Sequence, residues 1–322
     1  MPSRTWTCSC TFVPNPQAPP IHQLTPPSVG LNVLSPEEER FHFGMWAINK
    51  SPLMLGGILD TKLSKTSLAI MSNKEVIAIN QDSLGRQAQL VRRHTVEEWD
   101  IWLGELSGAR KVLGVANWKN ASQTAKFDLS TLGIASAQAR DIWAAKDIGS
   151  VSATQSLTLA PHELKLWILS NITTALTLPS TYYPAPAAKL SGSASATQCP
   201  SNTCLPTGKK ISNIGPNASV TFPSITATKT SNTTLVGVDF VNYDYAFTTA
   251  WDWGTNTRNM TIAVNGGAAK RWAFPLSGGD WYESGRLYVE VEGFKAGAAN
   301  QLVFAGVVTG YGPDLVGIEV FG

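Results

Sequence analysis

Charge is scarce in this chain: only 15% of its 322 residues are charged, the formal balance is +2, and the Lys and Arg residues are scattered. A nucleic-acid-binding face needs a basic cluster to neutralise phosphates, so no nucleic-acid partner is expected. Long apolar runs are missing as well. None approaches the roughly 20 residues that cross a bilayer, and no membrane partner is expected. The opening residues, MPSRTWTCSCTFVPNPQAPP, hold no apolar core of about 7–15 residues, so no signal peptide is visible. Histidine and cysteine each occur only four times. With no HxxxH and no second closely spaced Cys pair of the zinc-site kind, no metal site and no cofactor is expected. Cys8 and Cys10 sit too close together to bridge comfortably. Cys199 and Cys204, in CPSNTC, span a turn and are expected to form a local disulfide in an oxidising compartment.

Against these shortages stand eleven Trp and seven Tyr. Flat aromatic faces stack on the apolar faces of sugar rings, although most such residues in a β-rich protein serve the core. Residues 1–34 carry seven prolines and no apolar periodicity, and read as a disordered segment. At Ser35-Pro36-Glu37-Glu38 a capping serine, a proline at the first helical position and a carboxylate three residues after the cap start a helix. Phe41, Met45 and Ile48 share its buried face, leaving Glu39 and Lys50 to water. Ser51-Pro52 ends it. Leu53-Met54-Leu55 before Gly56-Gly57 reads as a strand buried on both faces, and Ser72 with Glu75 as a second capping box before Val76, Ile77 and Ile79. The order is helix, strand, helix over residues 35–85, one slice of a parallel α/β architecture.

Residues 86–170 alternate apolar runs with turns, with strands at 89–91, 99–103, 112–116, 125–129 and 164–169, the pattern of an antiparallel sandwich. Residues 171–188, rich in proline and small side chains, read as a linker. Residues 189–322 read as a second sandwich, with strands at 220–222, 234–240, 260–264, 286–291, 301–304 and 316–320 and a turn at Asn265-Gly266-Gly267. Its aromatic loops supply the candidate sugar contacts. Trp251 and Trp253 share a face by strand alternation; Tyr243 and Tyr245 flank Asp244; Tyr311 and Asp314 lie in the closing GYGPD. N-x-Ser/Thr sequons at Asn120, Asn171, Asn217, Asn232 and Asn259 fall in this β-rich part, suit surface loops, and suggest glycosylation and secretion. A sixth, at Asn49, is expected to be buried.

The stretch HFGMWAINKSPLMLGG, followed by SNKEVIAINQDSLG, resembles the last helix, strand and helix of the catalytic barrel in α-galactosidases of glycoside hydrolase family 27. Ile58 stands where that family usually has an acidic residue, with Asp60 two positions later. Residues 86–170, with Arg140-Asp141-Ile142-Trp143, resemble the C-terminal β-domain of the same enzymes. Residues 189–322, from AKLSG to GYGPDLVGIEVF, resemble a family 35 carbohydrate-binding module. The resemblance implies a fold that is mainly β, two antiparallel sandwiches preceded by the end of a (β/α)8 barrel, and a secreted parent family. It also implies hydrolysis of terminal α-D-galactose from galactosides and galactomannan, with galactosides or plant polysaccharide as the carbohydrate partner.

Retaining hydrolysis needs two carboxyl groups about 5–5.5 Å apart. In the family both come from earlier barrel strands, the nucleophile in a YDNC-like strand end, and this sequence contains no such motif. No catalytic residue is therefore assigned. Asp60 and Asp82 are read as bonding their own loops, and His42, His94 and His162 lack paired acids. The modules that residues 189–322 resemble often hold a structural calcium through an N-terminal acidic pair; the corresponding Ala187-Ala188-Lys189-Leu190 has no carboxylate. The expectation is an α-galactosidase relative that is inactive as this chain; the alternative is a non-catalytic carbohydrate-binding protein.

Overall fold

A computed structural model describes residues 29–31, 33–54, 63–176, 178–228, 230, 233–245 and 256–322. The fold is mainly β, with a small helical remnant ahead of the strands. It divides into two compact units: one takes the described residues up to Val91 with Glu98–Leu176, the other Arg92–Glu97 with the described residues of Thr177–Gly322.

The first unit opens with three helices, α1 (Pro36–Ile48), α2 (Lys65–Met71) and α3 (Lys74–Asn80). Ser35 caps α1 as the sequence predicts, its hydroxyl accepting from the Glu38 N–H while the Glu38 carboxylate accepts from the Ser35 N–H. The cap of α3 is one residue later than expected. Asn73 accepts the N–H groups of Glu75 and Val76. Ser72 instead closes α2, donating to the Leu68 carbonyl, and Glu75 faces Arg140 in a two-pronged ion pair (2.7 and 2.8 Å). Among the described residues no strand separates the helices: Leu53 and Met54 are irregular, Met54 is exposed, and Leu55 lies outside them. An apolar segment becomes a strand only where a neighbour completes its hydrogen-bond ladder.

Eight strands follow: β1 (Gln89–His94), β2 (Trp99–Leu106), β3 (Arg110–Asn117), β4 (Gln123–Asp128), β5 (Ile134–Asp141), β6 (Lys146–Ser152), β7 (Thr154–Leu159) and β8 (Leu164–Thr174). Six form one sheet in the order β1-β2-β3-β8-β5-β6, and β4 pairs with β7 as a small second layer. The large sheet is covered on both sides. Leu113, Val115, Trp167 and Leu169 face a core shared with Ala125, Phe127 and Leu159. Val112, Ala116, Leu164 and Leu166 face a second core built with Phe43, Ala47 and Ile48 of α1 and Val76 and Ile79 of α3. Gly44 allows this approach, because a Cβ there would meet Leu164 at 2.8 Å and Leu166 at 3.1 Å. The helices thus pack on the sandwich that follows them. Glu39 is not in water: it is 3% exposed and accepts from the Gly30 N–H and the Ser67 hydroxyl. Lys50 likewise turns inward to the Ile79 carbonyl.

The second unit is a sandwich of two antiparallel sheets. One runs β10 (Lys189–Ser191), β13 (Ser219–Ala227), β18 (Gly297–Gly306), β15 (Arg258–Val264), β16 (Lys270–Phe274). The other runs β11 (Ser195–Gln198), β12 (Lys209–Ser212), β19 (Asp314–Phe321), β14 (Thr234–Val241), β17 (Gly285–Val291), and β9 (Ser180–Pro184) also pairs with β19. Met260, Ile262 and Val264 on β15, and Leu287, Val289 and Val291 on β17, bury alternate residues between the layers. Phe240 and Phe274 meet edge to face there, at 5.1 Å. The Asn265-Gly266 turn forms as predicted: both residues have positive φ (52° and 70°) and the Gly267 N–H donates to the Val264 carbonyl.

Much of the stretch read as a linker is strand. β8 runs to Thr174, and β9 pairs Ser180 with Phe321 through to Pro184 with Gly317. Apolar patterning fails to mark β9 because none of its residues is fully buried. Tyr182 covers Gly317, where a Cβ would stand 2.2 Å from the tyrosine oxygen.

Candidate carbohydrate site

Antiparallel pairing of β14 with β17 and β19 brings the end of one strand to the starts of the others, since Phe240 pairs with Gly285 and Val241 with Asp314. Beyond these ends the chain is irregular and aromatic. Asn242, fully buried, fixes the first loop. Its amide donates to the carbonyls of Phe274 and Pro275 (3.1 Å each), and its oxygen accepts the Asp244 N–H (3.0 Å). Tyr243 and Tyr245 are thereby held half-buried with ring centroids 6.3 Å apart and planes tilted by 34°.

Tyr243 and Trp281 meet edge to face, with centroids 6.3 Å apart. Trp281 itself lies beneath two cations, the Arg258 guanidinium at 4.7 Å and the Lys210 ammonium at 5.7 Å. Arg258 also pairs with Asp244 (3.5 Å) and donates to the Gly312 carbonyl. Tyr282 is exposed, with its N–H on Asp280 (2.6 Å) and its carbonyl accepting from the Cys204 N–H (2.8 Å). The Cys199–Cys204 disulfide is formed as expected, and Trp281 packs on the buried cluster it makes with Val241 and Val316.

Of the residues singled out from sequence, Tyr243 and Tyr245 are brought together at this end of the sandwich. Asp314 is there too, but it is buried against Lys210 (2.7 Å) and not open to a ligand hydroxyl. Tyr311 is exposed and packs over Gly215, where a Cβ would stand 2.9 Å from its ring. Trp251 and Trp253 lie outside the described residues. Sequence reasoning missed Trp281, Tyr282, Arg258 and Lys210. Asp280-Trp281-Tyr282 between glycines and a serine has the composition of the other aromatic loops and could have been found by that signal. The two cations carry no sequence mark, because only the sheet pairing sets them beside the ring.

Asn120 and Asn217 are exposed at turns; Asn171 is exposed within β8, and Asn259, in β15, accepts from Arg271 (2.8 Å). Asn232 lies outside the described residues. Asn49 is buried, as expected, and donates to the Met45 carbonyl. In the first unit, burial pushes the His42 pKa down to about 4. Burial works to raise that of Asp82, but hydrogen bonds from the Ser107 hydroxyl and N–H outweigh it and hold the carboxyl below its ordinary value. Asp82 also accepts the Leu84 N–H and is a loop anchor, whereas Asp60 lies outside the described residues. Among the described residues no three His, Cys, Asp or Glu side chains converge on a metal-sized site. No described helix is long and apolar enough to cross a membrane.

Residues 96–169, in the first unit's sandwich, match the family model described as the alpha galactosidase C-terminal beta sandwich domain. The chain resembles the C-terminal portion of α-galactosidases. It is 31% identical over 396 residues to a probable alpha-galactosidase D of Aspergillus fumigatus, covering 91% of this chain and 60% of that protein. It is 28% identical over 405 residues to alpha-galactosidase D of Emericella nidulans, covering 91% and 61%. The chain therefore spans about three fifths of the curated relatives it matches, and coverage of 91% carries the likeness into the second unit. Among solved structures, alpha-galactosidase I from Mortierella vinacea is similar at 27% identity and a TM-score of 0.44, covering 46% of this chain and 39% of that one.

Proposed function

We propose that the protein serves α-galactoside breakdown by holding the carbohydrate, galactosides or a plant galactomannan, at the loop end of its second unit, without supplying the carboxyl pair that cleaves the bond. The observation that carries this reading is the aromatic ledge itself. Tyr243, Tyr245 and Tyr282 are held on loops pinned by Asn242 and the disulfide, with Asp244, paired to Arg258, and Asp280, which accepts the Tyr282 and Glu283 N–H groups, beside them. Rings in that setting stack on sugar faces, and fixed carboxylates select among hydroxyl patterns. In the first unit Asp82 is taken up by Ser107 and Leu84. The disulfide and the exposed sequons favour a secreted glycoprotein; loss of apparent mass on endoglycosidase treatment of the secreted chain tests that.

The test of function sets turnover of a chromogenic α-galactoside beside binding of the same preparation to galactomannan. Binding without turnover is expected, weakened about tenfold or more by Tyr243→Ala, as for an aromatic anchor. Turnover by the purified chain would overturn the non-catalytic part of the reading; failure to bind would overturn the site.

A further inference from the structure

The loop carrying Trp281 and Tyr282 has no regular structure of its own, yet its two rings take up defined places. The atom to which both are referred is the Lys210 ammonium. Lys210 sits on β12 and is 4% exposed. A charge withdrawn from water this far must be repaid by partners. Its partners are the Asp314 carboxylate at 2.7 Å, the Trp281 carbonyl at 2.5 Å, and the rings of Trp281 and Tyr282 with centroids at 5.7 and 5.1 Å. Asp314, 7% exposed, is the first residue of β19. One buried cation thus joins two strands of the sheet to the backbone and both rings of the loop. Lys210 lies 71 residues from Trp281 in sequence.

We propose that Lys210 is a positioning residue of the carbohydrate site: it fastens the Trp281–Tyr282 loop to β19 and so sets Tyr282 in the aromatic ledge and Trp281, on which Tyr243 rests. This rests on the carbohydrate-binding reading above. A buried ammonium suits the task because its three N–H donors reach a carboxylate and a carbonyl while its charge attracts two ring faces. A neutral side chain of the same length would fill the space and hold none of these. Ledge geometry, not the fold of the sandwich, is what its removal disturbs once the orphaned Asp314 charge is removed as well.

The experiment uses the full chain with galactomannan as the probe, comparing wild type, Lys210→Met, the double variant Lys210→Met/Asp314→Asn, and Lys210→Arg. Lys210→Met leaves a buried carboxylate unpaired and risks the fold; the double variant removes that charge. Binding by the double variant is expected to fall about tenfold or more, since a site loosened at its supporting residues loses function while still present. Lys210→Arg, which keeps a cation within reach of Asp314, is expected to recover most of the binding. Fluorotryptophan labelling gives a second readout: the Trp281 resonance, assigned through Trp281→Phe, is expected to move in the double variant and return towards its place in Lys210→Arg. Wild-type-like binding by the double variant, or an unmoved Trp281 resonance, overturns the proposal while the carbohydrate reading stands. No binding by the wild-type chain overturns the carbohydrate reading and this role with it.

Discussion

The two units use antiparallel sheets in opposite ways. In the first, the six-stranded sheet is covered on both faces, by helices on one and by β4 and β7 on the other. Its central strands therefore read as nearly unbroken apolar runs: Val112 to Ala116 on β3, and Leu164, Leu166, Trp167 and Leu169 on β8. In the second unit β15 and β17 alternate buried and partly exposed residues, as a sheet with one face in the core does. Its inner strands β14 and β19 depart from that pattern. Gly237, Asp239 and Gly317 on their outer side lie beneath Tyr288, Tyr182 and Arg286, and Arg286 grips Asp239 through two bonds (2.6 and 2.8 Å). The lesson is that a doubly covered sheet hides its aromatic and apolar residues on both faces, whereas the loops at one end of the second sandwich carry half-buried and exposed rings.

The largest effect that would break this comparison lies in the doubly covered sheet. Leu166 is fully buried against α1, so Leu166→Ala is expected to destabilise the first unit by about 2–5 kcal/mol in chemical denaturation. A change below about 1 kcal/mol would mean that the helices do not share a rigid core with the sheet. Next comes acid sensitivity. The native His42 pKa, about 4, lies below the ordinary 6.5, so the unfolded chain binds the extra proton between those values and stability falls as pH drops from about 6.5 to about 4. The loss is at most on the order of 3 kcal/mol. Stability measured from pH 7 to 4 should show that slope, and His42→Gln should flatten it. An unchanged slope in the variant would assign the acid sensitivity elsewhere. The smallest effect sharpens where the helical remnant is punctuated: Asn73→Ala is expected to destabilise by about 1 kcal/mol, and Ser72→Ala by a few tenths. Equal losses would restore the capping box read from sequence.

Some of this was legible without coordinates. The Ser35 capping box, the Asn265-Gly266 turn, the short disulfide and most central strands are local statements in which neighbours in sequence are partners in space. The short strands β10, β11, β12 and β16 were not legible, being only three to five residues long. β9 was hidden in a proline-rich stretch for a related reason. Its strand character comes from β19, which lies more than a hundred residues away.

By itself, the sequence determined the β-rich class, the helical remnant, the resemblance to α-galactosidases and the aromatic loops as the place to look for sugar contacts, because composition, caps, turns and motifs act over a few residues. Only the tertiary structure decided which carboxylates are engaged and which rings stand beside a cation. Asp314 was a ligand candidate in sequence and is a buried partner of Lys210 in the fold. Glu39 was expected in water and is buried on Ser67 and Gly30. The physical reason is the same in both cases: a charged side chain's surroundings are set by the strands and helices packed around it, and those come from distant parts of the chain.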